Sequence, residues 1–133
     1  MTQKKTAPSM DAWMKEAKAH ESSKKNGMYL THNGVVRETP KAEVRNGETG
    51  RPAVTAMDFS YDPAKVDEAI EKTYEMEGIH YIRVWLNEGH LEVGDDIMYI
   101  LIGGDIRPHV IDALQSLVGT IKNHCVVETE ITD

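Results

Sequence analysis

At 133 residues and 14.9 kDa, the chain is one domain, large enough for a real core. Fifteen basic residues against 22 acidic ones give a formal charge of -7, which argues against binding nucleic acid through its phosphates. No apolar run approaches the ~20 residues of a membrane span, and MTQKKTAPSMDAWMKEAKAH has no secretory core region, so a cytoplasmic, membrane-free protein is expected.

Residues 1–8 read as disordered, and Met10, Trp13, Met14 and Ala17 predict a short amphipathic helix within an N-terminal tail of residues 1–27. That helix is expected to pack loosely, on the domain of residues 28–133 or on a neighbouring subunit. Met28–Arg37 reads as a strand in which Gly34 marks a bulge or a close backbone approach. Glu38–Pro52, with Pro40, Gly47, Gly50 and Pro52, reads as a surface loop whose Lys41, Arg45 and Arg51 are solvated, though able to reach an anion. Val54–Tyr61 alternates as a half-buried strand, with Thr55, Met57, Phe59 and Tyr61 on one face.

Asp62-Pro63 starts a helix by capping, with Val66, Ala69, Ile70 and Thr73 inward and Gly78 at its end. Ile79–Asn87 is the next strand. Leu91–Val93 and the Gly94-Asp95-Asp96 turn lead into Ile97–Ile102, whose unbroken apolar run suits a central strand. Asp105 is the expected cap of a second helix, and Val110, Ile111, Leu114, Leu117, Val118 and Ile121 form its apolar stripe. Cys125–Ile131 is the last strand. The sum is an α+β sandwich, two main helices covering a mostly antiparallel sheet.

The lone Cys125 excludes an internal disulfide and, beside Val126 and Val127, reads as a buried thiol. Six scattered histidines show no metal-ligand spacing, so no metal and no cofactor are expected. Asp95 and Asp96 read as turn residues. Arg107 opens the second helix and Lys122 closes it, so an acidic chain keeps cations at both ends of one helix. That pattern points to a small anion as ligand.

Asn33-Gly34-Val35-Val36-Arg37, then Gly89-His90-Leu91-Glu92-Val93-Gly94-Asp95, then Ile97–Ile102, Arg107 and Lys122 follow in an order that resembles the large, catalytic subunit of molybdopterin synthase. The resemblance covers residues 28–130. It implies an α/β-hammerhead-like fold and a homodimer at the centre of a heterotetramer. The implied partner is a small ubiquitin-like sulfur carrier ending in Gly-Gly. The implied reaction moves sulfur from its thiocarboxylate to cyclic pyranopterin monophosphate, giving molybdopterin. Lys122 matches the family's first active-site lysine, and Arg37 and Arg107 match arginines that hold anionic groups. Since 15 residues of helix span ~22 Å, Arg107 and Lys122 serve one ligand only if two subunits contribute.

The chain departs from the family at two places. Ile106 stands where the family has the histidine of a His-Arg pair, and His109 points elsewhere. Thr129 aligns with the second active-site lysine, flanked by Glu128 and Glu130, which repel anions. These departures motivate an alternative: a non-catalytic binding or assembly protein on the same scaffold.

Overall fold

The computed structural model describes residues 3–47 and 49–132. In chain order they form α1 (Met10–Ala19), β1 (Met28–Val35), α2 (Lys41–Asn46), β2 (Val54–Tyr61), α3 (Pro63–Tyr74), β3 (Ile79–Leu86), β4 (Gly89–Glu92), β5 (Asp96–Gly104), α4 (Arg107–Thr120) and β6 (Val126–Thr132). A 3-10 turn spans Glu21–Lys25, and a π-helical turn, Ile121–Cys125, joins α4 to β6. Met1 and Thr2 of the expected disordered tail, Glu48 of the expected loop and Asp133 at the end of the expected domain lie outside the described residues.

Every strand pairing among the described residues is antiparallel, so the α+β expectation holds with one refinement. The strands form two three-stranded sheets, ordered β1-β5-β3 and β4-β2-β6. Gly89, at φ +88°, turns the chain out of the first sheet just after β3. Asn87 occupies that corner and is itself buried; its amide donates to the Asp96 carbonyl at 2.8 Å.

The apolar run in β5 is explained by cover on both faces. Ile100 and Ile102 pack with Val110, Leu117 and Ile121 of the α4 segment, in a core that also takes Met57 and Phe59 from β2. Leu101 points the other way, beneath Trp13 and Ala17 of α1. Arg83 lies over the Trp13 ring, 4.7 Å from its centre, and pairs with Glu16. The N-terminal helix therefore covers the outer face of the first sheet.

Residues 3–8, expected to be disordered, instead lie against the domain. The Lys5 N–H donates to Asn87 Oδ1 at 2.6 Å, and the Lys5 ammonium sits over the Tyr61 and Trp85 rings. Lys4 reaches Asp95 at 2.9 Å. These partners lie far along the chain, in β2, β3 and the turns beside β4, so nothing local signals them.

Asp62 caps α3 as expected, accepting from the Ala64 and Lys65 N–H groups. The helix ends at Tyr74, and Gly78 closes the following turn rather than the helix. Asp105 does not cap α4. Ile106 holds the cap position without a side-chain acceptor, and the Asp105 carboxylate turns to the Ile106 N–H and to His109 Nδ1 at 2.7 Å. Ile111 leaves the expected stripe for solvent and Ala113 joins the core, because each helical step rotates a side chain by about 100°. In β2 a register shift between Val54 and Ala56 buries both and exposes Thr55, so only Met57, Phe59 and Tyr61 of the predicted face remain together. The expected loop of residues 38–52 contains α2. Its one valine, Val44, is 58% exposed, so no apolar stripe betrays it; Pro40 opens it and Gly47, at φ +69°, closes it.

Candidate functional site

His32 and Gly34 are two apart on β1 and share a face. A Cβ on Gly34 would stand 3.3 Å from Met98 Cγ, so its absence lets the strand run close to that side chain. Arg37 follows the strand end. Lys41 and Arg45 are four apart on α2, and helix geometry places them on one side. Lys122 comes from the π-helical turn, Glu128 and Glu130 from alternate positions of β6. All of these line one cleft of about 270 Å³, with Val35, Val44, Met57, Ile97 and Met98 as its apolar lining. A second hollow, about 350 Å³, shares His32, Arg45 and Lys122 and continues along Leu114 and Val118 of α4.

The electrostatics follow from this list. Four cations face two carboxylates, a local positive excess in a chain of charge -7. Glu128 is central: its side chain is only 12% exposed, with Oε1 3.6 Å from Lys122 Nζ and Oε2 3.8 Å from Lys41 Nζ. Glu130 Oε2 accepts the backbone N–H of Lys41 at 3.0 Å, which ties α2 to β6. Burial, then the charge of Lys122, hold His32 below its ordinary pKa of 6.5 and favour the neutral imidazole.

Of the three residues singled out in the sequence, Arg37 and Lys122 meet in the cleft. Arg107 does not; it opens α4, at the far end of the helix from Lys122. His109 is engaged by Asp105 and by Glu77, whose carboxylate lies 3.5 Å from Nε2. Thr129 faces away, lining a separate hollow with Asp58 and His90, so the β6 side chains that border Lys122 are the two glutamates. Lys41 and Arg45, read as solvated loop residues, are cleft residues, whereas Arg51 does not line it. His32 gave no sequence signal beyond its alternation with Gly34. Cys125 is buried, and burial raises its thiol pKa, as an inert core thiol requires. Among the described residues no three His, Cys, Asp or Glu side chains are grouped to hold a metal ion, and no helix is long and apolar enough to cross a membrane.

The family model described as MoaE protein matches residues 5–124. The chain belongs to the MoaE family. This is the family of the large subunit of molybdopterin synthase. Solved structures of similar fold include molybdopterin synthase from Staphylococcus aureus, with TM-score 0.67 and 16% identity, covering 82% of this chain and 77% of that one. A complex of subunits 1 and 2 of the molybdopterin-converting factor from Helicobacter pylori aligns with TM-score 0.66 and 15% identity, covering 92% of this chain and 75% of that one. Molybdopterin cofactor biosynthesis protein E from Burkholderia multivorans aligns with TM-score 0.67 and 18% identity, covering 96% and 84%. No curated protein sequence matches the chain. The MoaE match ends at residue 124, so β6, with Glu128, Thr129 and Glu130, lies beyond the matched segment. Within this MoaE-family chain, the cleft thus combines matched residues such as Arg37 and Lys122 with carboxylates from outside the match.

Proposed function

We propose that this chain is the large subunit of a molybdopterin synthase, taking sulfur from a thiocarboxylated small carrier and installing it on cyclic pyranopterin monophosphate. Family membership supports the broader assignment to molybdenum cofactor biosynthesis. The observation that carries the finer reading is the convergence of Arg37, Lys41, Arg45 and Lys122 on one cleft. A pterin phosphate and a thiocarboxylate are both anions, and cations hold both without a metal. Sulfur replaces oxygen on a pterin carbon, water then takes up the carrier's acyl group and leaves a carboxylate, and Lys122 stabilises the oxyanion of that cleavage or moves a proton as the carbon–sulfur bond forms. Arg37 holds the phosphate end.

The small partner is a ubiquitin-like protein ending in Gly-Gly; the Helicobacter pylori structure, a complex of two subunits, supports a two-subunit assembly. A homodimer brings Arg107 of one large subunit toward the Lys122 cleft of the other. Ile106 and Ile111, both exposed beside Arg107, offer apolar surface for such a contact. The complete enzyme works in the cytoplasm on this reading.

Titration with cyclic pyranopterin monophosphate tests the reading, wild type beside Lys122→Ala. Binding that weakens in the variant supports it, and absence of binding by the wild type sinks it.

One observation favours the second reading, a non-catalytic binding or assembly protein. Glu128 already pairs with both Lys41 and Lys122. On that reading Lys122→Ala leaves pathway complementation intact; loss of complementation excludes it.

A further inference from the structure

The carboxylate in the cleft has a geometry that a repelling residue does not need. A glutamate that merely kept anions away would extend into solvent. Glu128 instead lies against the protein at 12% exposure and spans two ammonium groups, one from the π-helical turn and one from α2. Neither lysine is adjacent to it on its own strand. The bridge therefore occupies the space between two positive charges where an oxygen of a phosphate or carboxylate ligand would lie. Neighbouring Glu130 is differently engaged, accepting a backbone N–H of α2.

We propose that Glu128 is a built-in occupant of the anion subsite between Lys41 and Lys122, and that ligand binding displaces it. This rests on the reading of the cleft as an anion site. Displacement has a direction. Once an anion takes the lysines, the two negative charges repel, and Glu128 swings outward along the edge of β6, which among the described residues pairs with β2 alone. Lys41 then follows the ligand, so the α2 segment closes over it, still held to β6 through Glu130. Displacing Glu128 costs every ligand the same, so the side chain sets how tightly the subsite holds any anion, and the stronger pull of a dianion on the two lysines is what favours phosphate.

The test is calorimetric titration of the full chain with inorganic phosphate and with acetate, comparing wild type, Glu128→Gln, Glu128→Asp and Glu128→Gln/Lys122→Ala. Glu128→Gln keeps the shape and removes the competing charge. It is expected to bind phosphate about three- to tenfold tighter than wild type, the range set by a partly exposed ion pair. The gain should vanish when Lys122 is also removed. Glu128→Asp keeps the charge but shortens the reach to the two lysines, so it should fall between. Wild type should prefer phosphate over acetate, and Glu128→Gln should tighten both, phosphate at least as much as acetate.

If Glu128→Gln binds phosphate no better than wild type while Lys122→Ala still weakens it, the inference fails and the anion-site reading survives. If no version binds phosphate, both fail. The unfolding temperatures of the variants, measured beside the titrations, show whether each is folded.

Discussion

Burial, and then the ammonium of Lys122, hold the imidazole of His32 below its ordinary pKa of 6.5, although the two side chains reach the cleft from different elements. A ligand that neutralises Lys122 removes part of that pressure. His32 is therefore a reporter for the charge state of the cleft.

In a proton NMR titration His32 should lose its proton below pH 6.5 and His109 above it, because the Asp105 carboxylate raises the latter. Adding phosphate should move His32 upward and leave His109 in place. The stability effects have opposite signs. The unfolded chain binds a proton more readily than His32 does in the fold, so its contribution is complete above 6.5 and is lost as pH falls below that value. The contribution of His109 is complete below 6.5 and is lost as pH rises through its raised pKa. Identical shifts for the two rings would contradict the cleft electrostatics.

Mixing subunits checks the proposal that two large subunits share one site. Lys122→Ala and Arg107→Ala, each alone, should abolish or strongly reduce sulfur transfer. If opposite subunits supply the two residues, random mixing restores about a quarter of wild-type sites, since half the dimers are mixed and each carries one intact site. No restoration by the mixture, with exchange verified by mass spectrometry, would place both residues outside a shared site.

Gly78→Ala should destabilise the fold by about 1–3 kcal/mol. Gly78 sits at φ +78°, and a Cβ there would collide with the Asp105 carboxylate, whose backbone N–H also donates to the Gly78 carbonyl at 2.9 Å. Urea denaturation measures the loss. A change below about 0.5 kcal/mol, the usual scatter of surface substitutions, would show that the turn relaxes freely.

Trp13→Ala should cost about 3 kcal/mol, the usual range for removing a buried aromatic side chain. It is 5% exposed over Leu101 and carries Arg83 on its face. Hydrogen exchange should rise first in α1 and on the outer face of the first sheet. Because the cleft lies elsewhere, phosphate affinity should stay within twofold of wild type, roughly the additivity error of distant sites.

Much of the fold was legible because its signals are local. Asp62-Pro63 capped a helix, Gly34 sat at a register shift, and the apolar run of β5 was buried on both faces. The misreadings have different causes. Asp105 found His109 four residues on, in place of the free N–H groups of α4. The α2 segment lacks an apolar stripe, so periodicity could not reveal it. Residues 3–8 found Asn87, Tyr61 and Asp95, all far along the chain.

By itself the sequence determined the order of the strands and of the helices other than α2, the burial of Cys125 and the cations available to an acidic chain. Composition, capping and alternation depend on neighbours a few residues apart. Only the tertiary structure decided which charges meet. Lys41, 81 positions before Lys122, shares Glu128 with it, while Thr129, the next residue on the strand, faces the other side. Strand pairing and the turn after α4 set those distances, and a side-chain period of two sends neighbouring residues to opposite faces.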